Sequence, residues 1–454
     1  MYTKKTLPIN GIINCVSEPI ELVEPGMHFH FDGKTLIVAS DEPLSASQSM
    51  EFFFWNYGVK STKMDTIIEG SIRPSGERAA FHVTGRPGFR DRGVRLGVVA
   101  YWIICDDLEL KDVGKLRFSG PGIDSFCPMT NVQIKDEGDF SSITVTNCME
   151  NVVDLGLAAI GNKELELSAE AYWSCDYCRQ INFESCLSCK VDSPDYGLLK
   201  DVYVNVASAL KFCLNRGNVD LNVGLCRITP DGWETVGEFA ALPGKMRTPD
   251  EHDEPHVTFV RSQNVGEYFG NIVSAFADGT LERETLAESR SDARVITSSK
   301  IIELTSAFER AFRMQFPKGI EHRARTQKNY ELARKAMLET AENLPSDSKK
   351  IVVRLSKRVE EDNLAARIRH TCKALPEAVA DAAFENTGAN RRYTQLGKKI
   401  TTVRNDIAHG NKMQYKLSDI REEYQLLNNL VFAMRLMLVS IPSEDVARLL
   451  KCMG

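Results

Sequence analysis

The chain has 454 residues, of which 43% are hydrophobic, 26% charged and 8% aromatic, so it can bury two or three domain cores and is neither disordered nor fibrous. No apolar run approaches the roughly 18–20 residues that a membrane helix needs, and the polar start at Met1 does not resemble a signal peptide. We therefore expect a cytoplasmic protein without a membrane partner, whose 12 cysteines are not paired in disulfides.

The net charge of −6 conceals an uneven distribution of charge along the chain. Residues 297–454 contain 28 basic and 19 acidic residues, a net charge of +9, so residues 1–296 carry −15. Such asymmetry indicates that a polyanion would bind the basic C-terminal third. The alternative is that the two parts attract each other or pair in an oligomer.

Residues 26–290 mostly alternate between apolar and polar side chains, which is typical of β strands. Segments 27–31 and 34–38 flank Asp32-Gly33, a turn dipeptide that favours a hairpin. The apolar run 94–105 predicts a central strand. We therefore predict an antiparallel β-rich sandwich or barrel over residues 1–170, which would act as a sensor or regulatory domain.

The following segment, 171–295, contains two CxxC pairs separated by seven residues: Cys175 and Cys178, then Cys186 and Cys189. Two such pairs on neighbouring loops can supply four thiolates to one tetrahedral zinc ion, which is structural because no coordination position stays open. We predict a four-cysteine zinc knuckle inside an α+β connector whose helix spans 198–214. The alternative is a set of free thiols or a redox pair.

From residue 297 onward the apolar residues recur at helical spacing, which predicts an all-α bundle over residues 296–454. Helices are indicated over 351–375, 391–408 and 417–441, the last of them long and apolar on one side. The whole chain is thus predicted to be a multidomain α+β protein.

The helix predicted over 391–408 carries the residues with the clearest chemistry. Its buried stripe has members at i, i+4, i+7 and i+11: Leu396, Ile400, Val403 and Ile407. Arg404 lies at the edge of the stripe, Asn405 and His409 share a different face, and Gly410 is expected to end the helix. The helix therefore presents a guanidinium, an amide and an imidazole near one end.

An arginine and a histidine placed in this way suit phosphodiester cleavage. The guanidinium can bind a phosphate bidentately, and the imidazole can transfer protons near neutral pH. The alternative is that Arg404 pairs with an acidic neighbour and His409 interacts with the C-terminus of the helix. The sequence has no Walker A loop, no GxSxG and no carboxylate array for a two-metal nuclease.

The Arg-x4-His pattern from Arg404 to His409, with an amphipathic helix before it and a long apolar helix after it, resembles the motif of the HEPN superfamily. The resemblance implies a metal-independent endoribonuclease in which two protomers bring their motifs together. It implies that the 2′-hydroxyl attacks the phosphorus and leaves a 2′,3′-cyclic phosphate and a 5′-hydroxyl. Arg404 would stabilise the phosphate, His409 would be the general acid/base, and Asn405 would support them.

A strand-rich N-terminal region, a cysteine-pair insert and a C-terminal HEPN bundle together resemble the ApeA family of bacterial anti-phage abortive-infection proteins. The resemblance implies cleavage of RNA, with transfer RNA as one candidate, by a homodimer or higher homo-oligomer formed through the HEPN domain. It implies an N-terminal region that keeps the nuclease silent or senses the infection, and the trigger could be a phage protein. No catalytic metal is expected.

Four basic residues before the motif are candidates for contacts with the RNA backbone, with an ordinary solvated surface as the alternative: Arg391, Arg392, Lys398 and Lys399. Two other functions remain open at this point. The HEPN bundle could be a non-catalytic interaction scaffold beside an N-terminal region that binds a ligand, or the chain could be a zinc-knuckle regulator that binds nucleic acid.

Overall fold

A computed structural model describes most of the chain. The described residues are 8–16, 27–40, 66–84, 88–90, 93–107, 109–128, 132–136, 143–147, 152–175, 181–230, 232–241, 259–282, 287–357, 359, 362–385, 387–389 and 395–453. The chain divides into two compact units, Met1–Arg290 and Ser291–Gly454. Within the described ranges, no helix combines the length and the apolar character needed to cross a membrane.

The N-terminal unit contains a closed, six-stranded antiparallel barrel. Its strands are β1 (Ile9–Val16), β2 (Met27–Phe31), β3 (Thr35–Ser40), β4 (Thr66–Ile72), β5 (Arg78–Thr84) and β7 (Gly93–Cys105), with the short β6 (Gly88–Arg90) paired to β7. Neighbours follow the order β7-β3-β2-β1-β4-β5, and β5 pairs with β7 again, which closes the barrel. Alternate side chains fill the interior, where the rings of Phe29, Phe31, Phe81 and Trp102 form a chain with centroids 5.0 Å apart.

The remaining strands of the N-terminal unit extend from β7 as an open sheet in the order β7-β15-β14-β8-β13-β12-β11. They are β8 (Lys115–Ser119), β11 (Val153–Ile160), β12 (Lys163–Cys175), β13 (Ile181–Lys190), β14 (Asn222–Thr229) and β15 (Gly232–Ala241), while β9 (Val132–Asp136) and β10 (Ile143–Asn147) form a separate hairpin. Its helices are α1 (Pro121–Phe126), α2 (Tyr196–Leu214), α3 (Ser262–Val265) and α4 (Tyr268–Ala277), of which α4 packs on β11 and α2. The antiparallel sheet predicted from alternation is confirmed.

The sheet does not stop at residue 170, where the sequence suggests a domain boundary. Strands β13, β14 and β15 come from the predicted connector, yet β14 and β15 lie between β8 and β7 in one continuous sheet. Sequence patterns indicate which segments are strands but not which distant strands pair. The strands of the predicted sensor and of the predicted connector therefore share one unit, which ends at Arg290.

The C-terminal unit is helical, as predicted. Its helices are α5 (Arg290–Ala293, at the boundary), α6 (Ser298–Gln315), α7 (Ala324–Glu342), α8 (Ser346–Ser356), α9 (Leu364–Ala374), α10 (Glu377–Phe384), α11 (Lys398–His409), α12 (Arg421–Leu438) and α13 (Ser443–Lys451). The buried face of α12 packs against α6, α10 and α13. The helix predicted over 351–375 is two helices, because the Asn363 side chain accepts a hydrogen bond from the backbone N–H of Ala366 and starts α9 anew.

Candidate active site

Helix α11 presents the motif residues because its opposite face is anchored in the core. Ile400 and Val403 are fully buried and Leu396 nearly so, which matches the predicted apolar stripe. Ile407, the last member, is only half-buried, and the neighbouring Asp406 is buried in its place. The stripe therefore holds the first two turns of the helix, and the last turn is held differently.

Arg404, Asn405 and His409 all lie on the solvent-facing side of α11. Arg404 is half-buried, whereas Asn405 and His409 are exposed. Arg404 Nη1 donates a hydrogen bond to Asn405 Oδ1 at 3.1 Å, so the amide orients the guanidinium. The imidazole of His409 makes no hydrogen bond with the residues that the structure describes. The alternative interpretation, in which Arg404 pairs with an acidic residue, is likewise not seen in the described part of the chain.

The buried Asp406 fixes the end of the helix that carries His409. Its Oδ2 accepts a hydrogen bond from the backbone N–H of Gln414 at 3.1 Å. Its carbonyl oxygen accepts from the N–H of Asn411 at 2.8 Å, and Gly410 adopts the left-handed conformation, with φ of 66°, that closes a helix of this kind. The carboxylate within the motif therefore has a structural role: it ties the last turn of α11 to the following loop.

The start of α11 is held by a carboxylate from α12. Glu423 Oε2 accepts a hydrogen bond from the backbone N–H of Ile400 at 2.9 Å, and the N–H groups of Lys399 and Gly397 also face this carboxyl group. Burial raises the pKa of Glu423, although these donors act in the opposite direction. Sequence analysis missed both Glu423 and Asp406, and only the polar character of the motif spacer hinted at Asp406.

The four predicted backbone-binding residues are described only in part. Lys398 and Lys399 are exposed in the first turn of α11. The helix has 12 residues, so they lie about 16 Å along its axis from His409. Arg391 and Arg392 lie outside the described residues. Contacts of these four residues with RNA stay a prediction.

Three of the four cysteines, Cys175, Cys186 and Cys189, lie on a long hairpin formed by β12 and β13, where the sequence predicts a knuckle. Cys186 pairs with Glu170 and Cys189 with Leu167, whereas Cys175 pairs with Ile181 at the far end of the hairpin. Cys175 is five positions from Glu170 along β12, which is about 17 Å in a strand.

The strand register of the described residues does not bring Cys175, Cys186 and Cys189 together around one zinc ion. Residues 186 and 189 are three positions apart on one strand, so their side chains point to opposite faces of the sheet, whereas zinc needs each sulfur at about 2.3 Å. Both thiols are buried, and burial raises the pKa of Cys186 to about 11 and that of Cys189 to about 12. Cys178 and the side chain of Cys175 lie outside the described residues, and no cluster of metal-ligating side chains occurs among those that are described.

Comparison with known proteins identifies the helical region. Residues 302–440 match the family model described as Apea-like HEPN, which covers α6 to α12 and includes the whole motif helix. No curated protein and no solved structure matches the chain. The resemblance noted from the sequence is thereby confirmed for the C-terminal domain.

Proposed function

We propose that this chain, which carries an Apea-like HEPN domain at residues 302–440, is a metal-independent endoribonuclease of bacterial anti-phage defence. A nuclease-type defence role is what a domain of this family suggests. The observation that carries the finer proposal is the complete set Arg404, Asn405 and His409, solvent-facing on a helix whose two ends are both fixed. A scaffold helix would not need both a guanidinium and an exposed imidazole near one end.

Arg404 would bind the phosphate at the cleaved bond. A guanidinium has five N–H donors, and only one of them is used in the hydrogen bond to Asn405. The remaining donors can form hydrogen bonds with two phosphate oxygens and stabilise the additional negative charge of the five-coordinate transition state. Asn405 would limit the rotation of the guanidinium, so that less conformational freedom is lost when the phosphate binds.

His409 would move the protons of the reaction. A 2′-hydroxyl loses its proton to a general base as its oxygen forms a bond to phosphorus, and the bond from phosphorus to the 5′-oxygen breaks. The departing 5′-oxygen takes a proton from a general acid, which leaves a 2′,3′-cyclic phosphate and a 5′-hydroxyl. Imidazole can serve both steps near neutral pH, and an exposed one can reach RNA without a rearrangement of the core.

The helical geometry supports a site built from two protomers. His409 lies five positions after Arg404, which is a rotation of about 140° around the helix axis, so the two side chains diverge within one chain. Asn405 and His409 are only about 40° apart. A second copy of α11 facing the first would place the histidine of one protomer near the arginine of the other. We therefore propose a homodimer, or a higher homo-oligomer, formed through the HEPN domain.

Control of the nuclease is assigned to the N-terminal unit. Residues 1–290 carry a net charge of −15 and residues 291–454 carry +9. An acidic unit competes with RNA for a basic one and would keep the nuclease silent until a phage trigger is sensed. RNA, including transfer RNA, is the proposed substrate.

The test compares cleavage of total bacterial RNA by wild-type protein, Arg404→Ala and His409→Ala, all in EDTA, with extract of phage-infected cells added to supply a trigger. Matched controls are Arg313→Ala, which removes an exposed arginine of α6, and His30→Ala, which removes a histidine of the barrel. We expect both motif variants to lose at least about a hundredfold in rate and both controls to cleave normally.

The products add a second measurement. Fragments with a 5′-hydroxyl accept a radiolabelled phosphate from polynucleotide kinase without prior dephosphorylation, and a cyclic 3′ end resists periodate oxidation. Cleavage that survives both motif substitutions would contradict the assigned site. Fragments that carry a 5′-phosphate would point to metal-dependent hydrolysis instead.

A further inference from the structure

Helices α7 and α8 form a hairpin that is exposed along most of its length. We call residues 323–357, which include both helices and the turn between them, the basic arm. Each helix has a single buried residue, Ala341 in α7 and Ser356 in α8. Among the described helices and strands, these two pack mainly against each other. The arm therefore adds little to the hydrophobic core of the C-terminal unit.

The arm concentrates positive charge. It holds nine basic and four acidic residues, a net charge of +5, which is more than half of the +9 carried by residues 291–454. All nine basic side chains are exposed: Arg323, Arg325, Lys328, Arg334, Lys335, Lys349, Lys350, Arg354 and Lys357. Lys335 pairs with Glu339 at 3.9 Å and Lys350 with Asp347 at 3.3 Å. The other seven make no ion pair with any residue that the structure describes.

The base of the arm is held in place. His322 precedes α7 and Asp362 follows α8, and His322 Nε2 lies 3.3 Å from Asp362 Oδ1. The His322 ring also contacts the ring of Tyr330 edge-on, with centroids 5.1 Å apart. The first contact brings the two ends of the hairpin together, and the second packs His322 on the start of α7, so the cations are presented on a preformed element.

We propose that the basic arm is an RNA-docking surface that binds the phosphate backbone of the substrate away from the cleaved bond. The inference rests on the proposed function, because it takes RNA as the substrate. Helix α7 has 19 residues and is about 28 Å long, enough to follow several consecutive phosphates. Contacts of lysine and arginine with phosphate add affinity without sequence preference. In this arrangement the basic arm binds the RNA, and the motif residues of α11 cleave it.

A protein partner, such as a second copy of the chain, is the alternative occupant. Exposed large apolar side chains would suit it: Leu332, Leu338, Ile351 and Leu355. Four such side chains scattered over two helices are ordinary for a protein surface. The seven cations without an acidic partner among the described residues repel one another, and a polyanion relieves that repulsion whereas an apolar surface does not. The charge therefore favours RNA.

The experiment measures RNA binding by the full-length chain with His409→Ala, which prevents cleavage during the titration. Fluorescence anisotropy with a labelled transfer-RNA transcript gives Kd at several salt concentrations. The arm variant neutralises five of these seven cations: Arg325→Gln, Lys328→Gln, Arg334→Gln, Lys349→Gln and Arg354→Gln. We expect Kd at about 0.15 M salt to rise at least tenfold, and the slope of log K against log salt to fall by about 0.7–0.9 for each phosphate that the variant no longer neutralises.

The matched control removes three of the four exposed apolar side chains by Leu332→Ser, Ile351→Ser and Leu355→Ser, and its Kd for the transcript should equal that of the parent. Sedimentation gives the oligomeric state of each variant, and circular dichroism confirms that α7 and α8 stay folded. If the fivefold variant loses helix, the pair Arg325→Gln and Arg354→Gln replaces it, with a Kd at least about threefold higher expected.

Two results would overturn the proposal. One is an unchanged Kd in the folded charge variant. The other is a combination of two observations: the apolar variant dissociates the oligomer, and the charge variant binds RNA as tightly as the parent. The arm would then be a protein interface. Failure of the proposed function has a different signature, because cleavage by Arg404→Ala and His409→Ala would persist while RNA binding still depends on the arm.

Discussion

Two carboxylates hold the two ends of α11, and neither takes part in the proposed reaction. Glu423 accepts a hydrogen bond from the first turn, and Asp406 ties the last turn to the loop that follows. Positions of this kind are difficult to predict, because Glu423 is 23 residues from its partner and nothing local in the sequence links them. The motif residues could be predicted because their helical spacing is local.

Replacing Glu423 should weaken the helix start and the nuclease together. In Glu423→Ala the N–H of Ile400 loses a charged acceptor, which we expect to cost about 1–2 kcal/mol of unfolding free energy. Glu423→Gln keeps an oxygen acceptor and should recover most of both stability and activity. Thermal melting and RNA cleavage are measured on all three proteins. Equal losses in Ala and Gln variants would show that the hydrogen bond is not what matters.

His370 should make the stability of the protein depend on pH. Its ring packs edge-on against Phe312 and Phe316, with centroids 5.9 and 5.0 Å away, and burial lowers its pKa below the usual 6.5, against the opposite effects of Asp362 and Glu321. The unfolded chain therefore binds the proton more readily, so this contribution to stability is present above about pH 6.5 and is lost as the pH falls.

The variant His370→Gln tests whether stability falls with pH in the expected direction. The melting temperature of wild type should fall further between about pH 7.5 and pH 5.5 than that of the variant, while the other seven histidines stay the same in both proteins. An equal fall in the two proteins would mean that His370 is as accessible to protons in the folded chain as in the unfolded one.

At the scale of whole elements, local patterns and distant pairing differ in how well they can be predicted. The hairpin at Asp32-Gly33 and the strand at 94–105 are found as β2–β3 and β7, because alternation and turn residues are local signals. The helix predicted over 198–214 is α2, Tyr196–Leu214. The cysteine spacing suggested a knuckle, although the alternation in 181–190 is that of a strand. The strand pairing separates Cys175 from Cys186 and Cys189.

The cysteine spacing predicts a zinc site, whereas the pairing of β12 with β13 does not. Measuring the zinc content of the purified protein distinguishes the two. The register predicts less than one equivalent of zinc per chain after purification and no change in melting temperature with EDTA. Cys186→Ser should lower stability only modestly, as expected for a buried thiol replaced by a hydroxyl. One full equivalent of zinc that is lost in both Cys178→Ser and Cys186→Ser would restore the knuckle and require the hairpin to rearrange.

At the scale of the whole molecule, the division of charge at the unit boundary is the feature that the sequence predicted most directly. Counting charges needs no structure, and the split of −15 and +9 coincides with the two compact units. The closure of the barrel could not be predicted in the same way, since it depends on β5 meeting β7 and β1 meeting β4. Which distant strands pair depends on how all the strands pack together, and no local pattern in the sequence records it.

Removing the acidic unit should increase affinity for RNA. We expect residues 291–454 to bind a transfer-RNA transcript several-fold more tightly than the full chain at about 0.05 M salt, with the difference shrinking at about 0.5 M because salt screens charge. Circular dichroism establishes that the isolated helical unit folds. If it folds and binds RNA no better than the full chain, the N-terminal unit does not compete with RNA.

Strand β7 gives the N-terminal unit a mechanical property. Its 13 residues form hydrogen bonds with β3, β5 and β6 in the barrel and with β15 in the open sheet. A rotation of the barrel relative to the sheet would break backbone hydrogen bonds between β7 and its neighbouring strands. A molecule that binds to the outer strands and displaces them would therefore also displace the strands of the barrel, because β7 belongs to both.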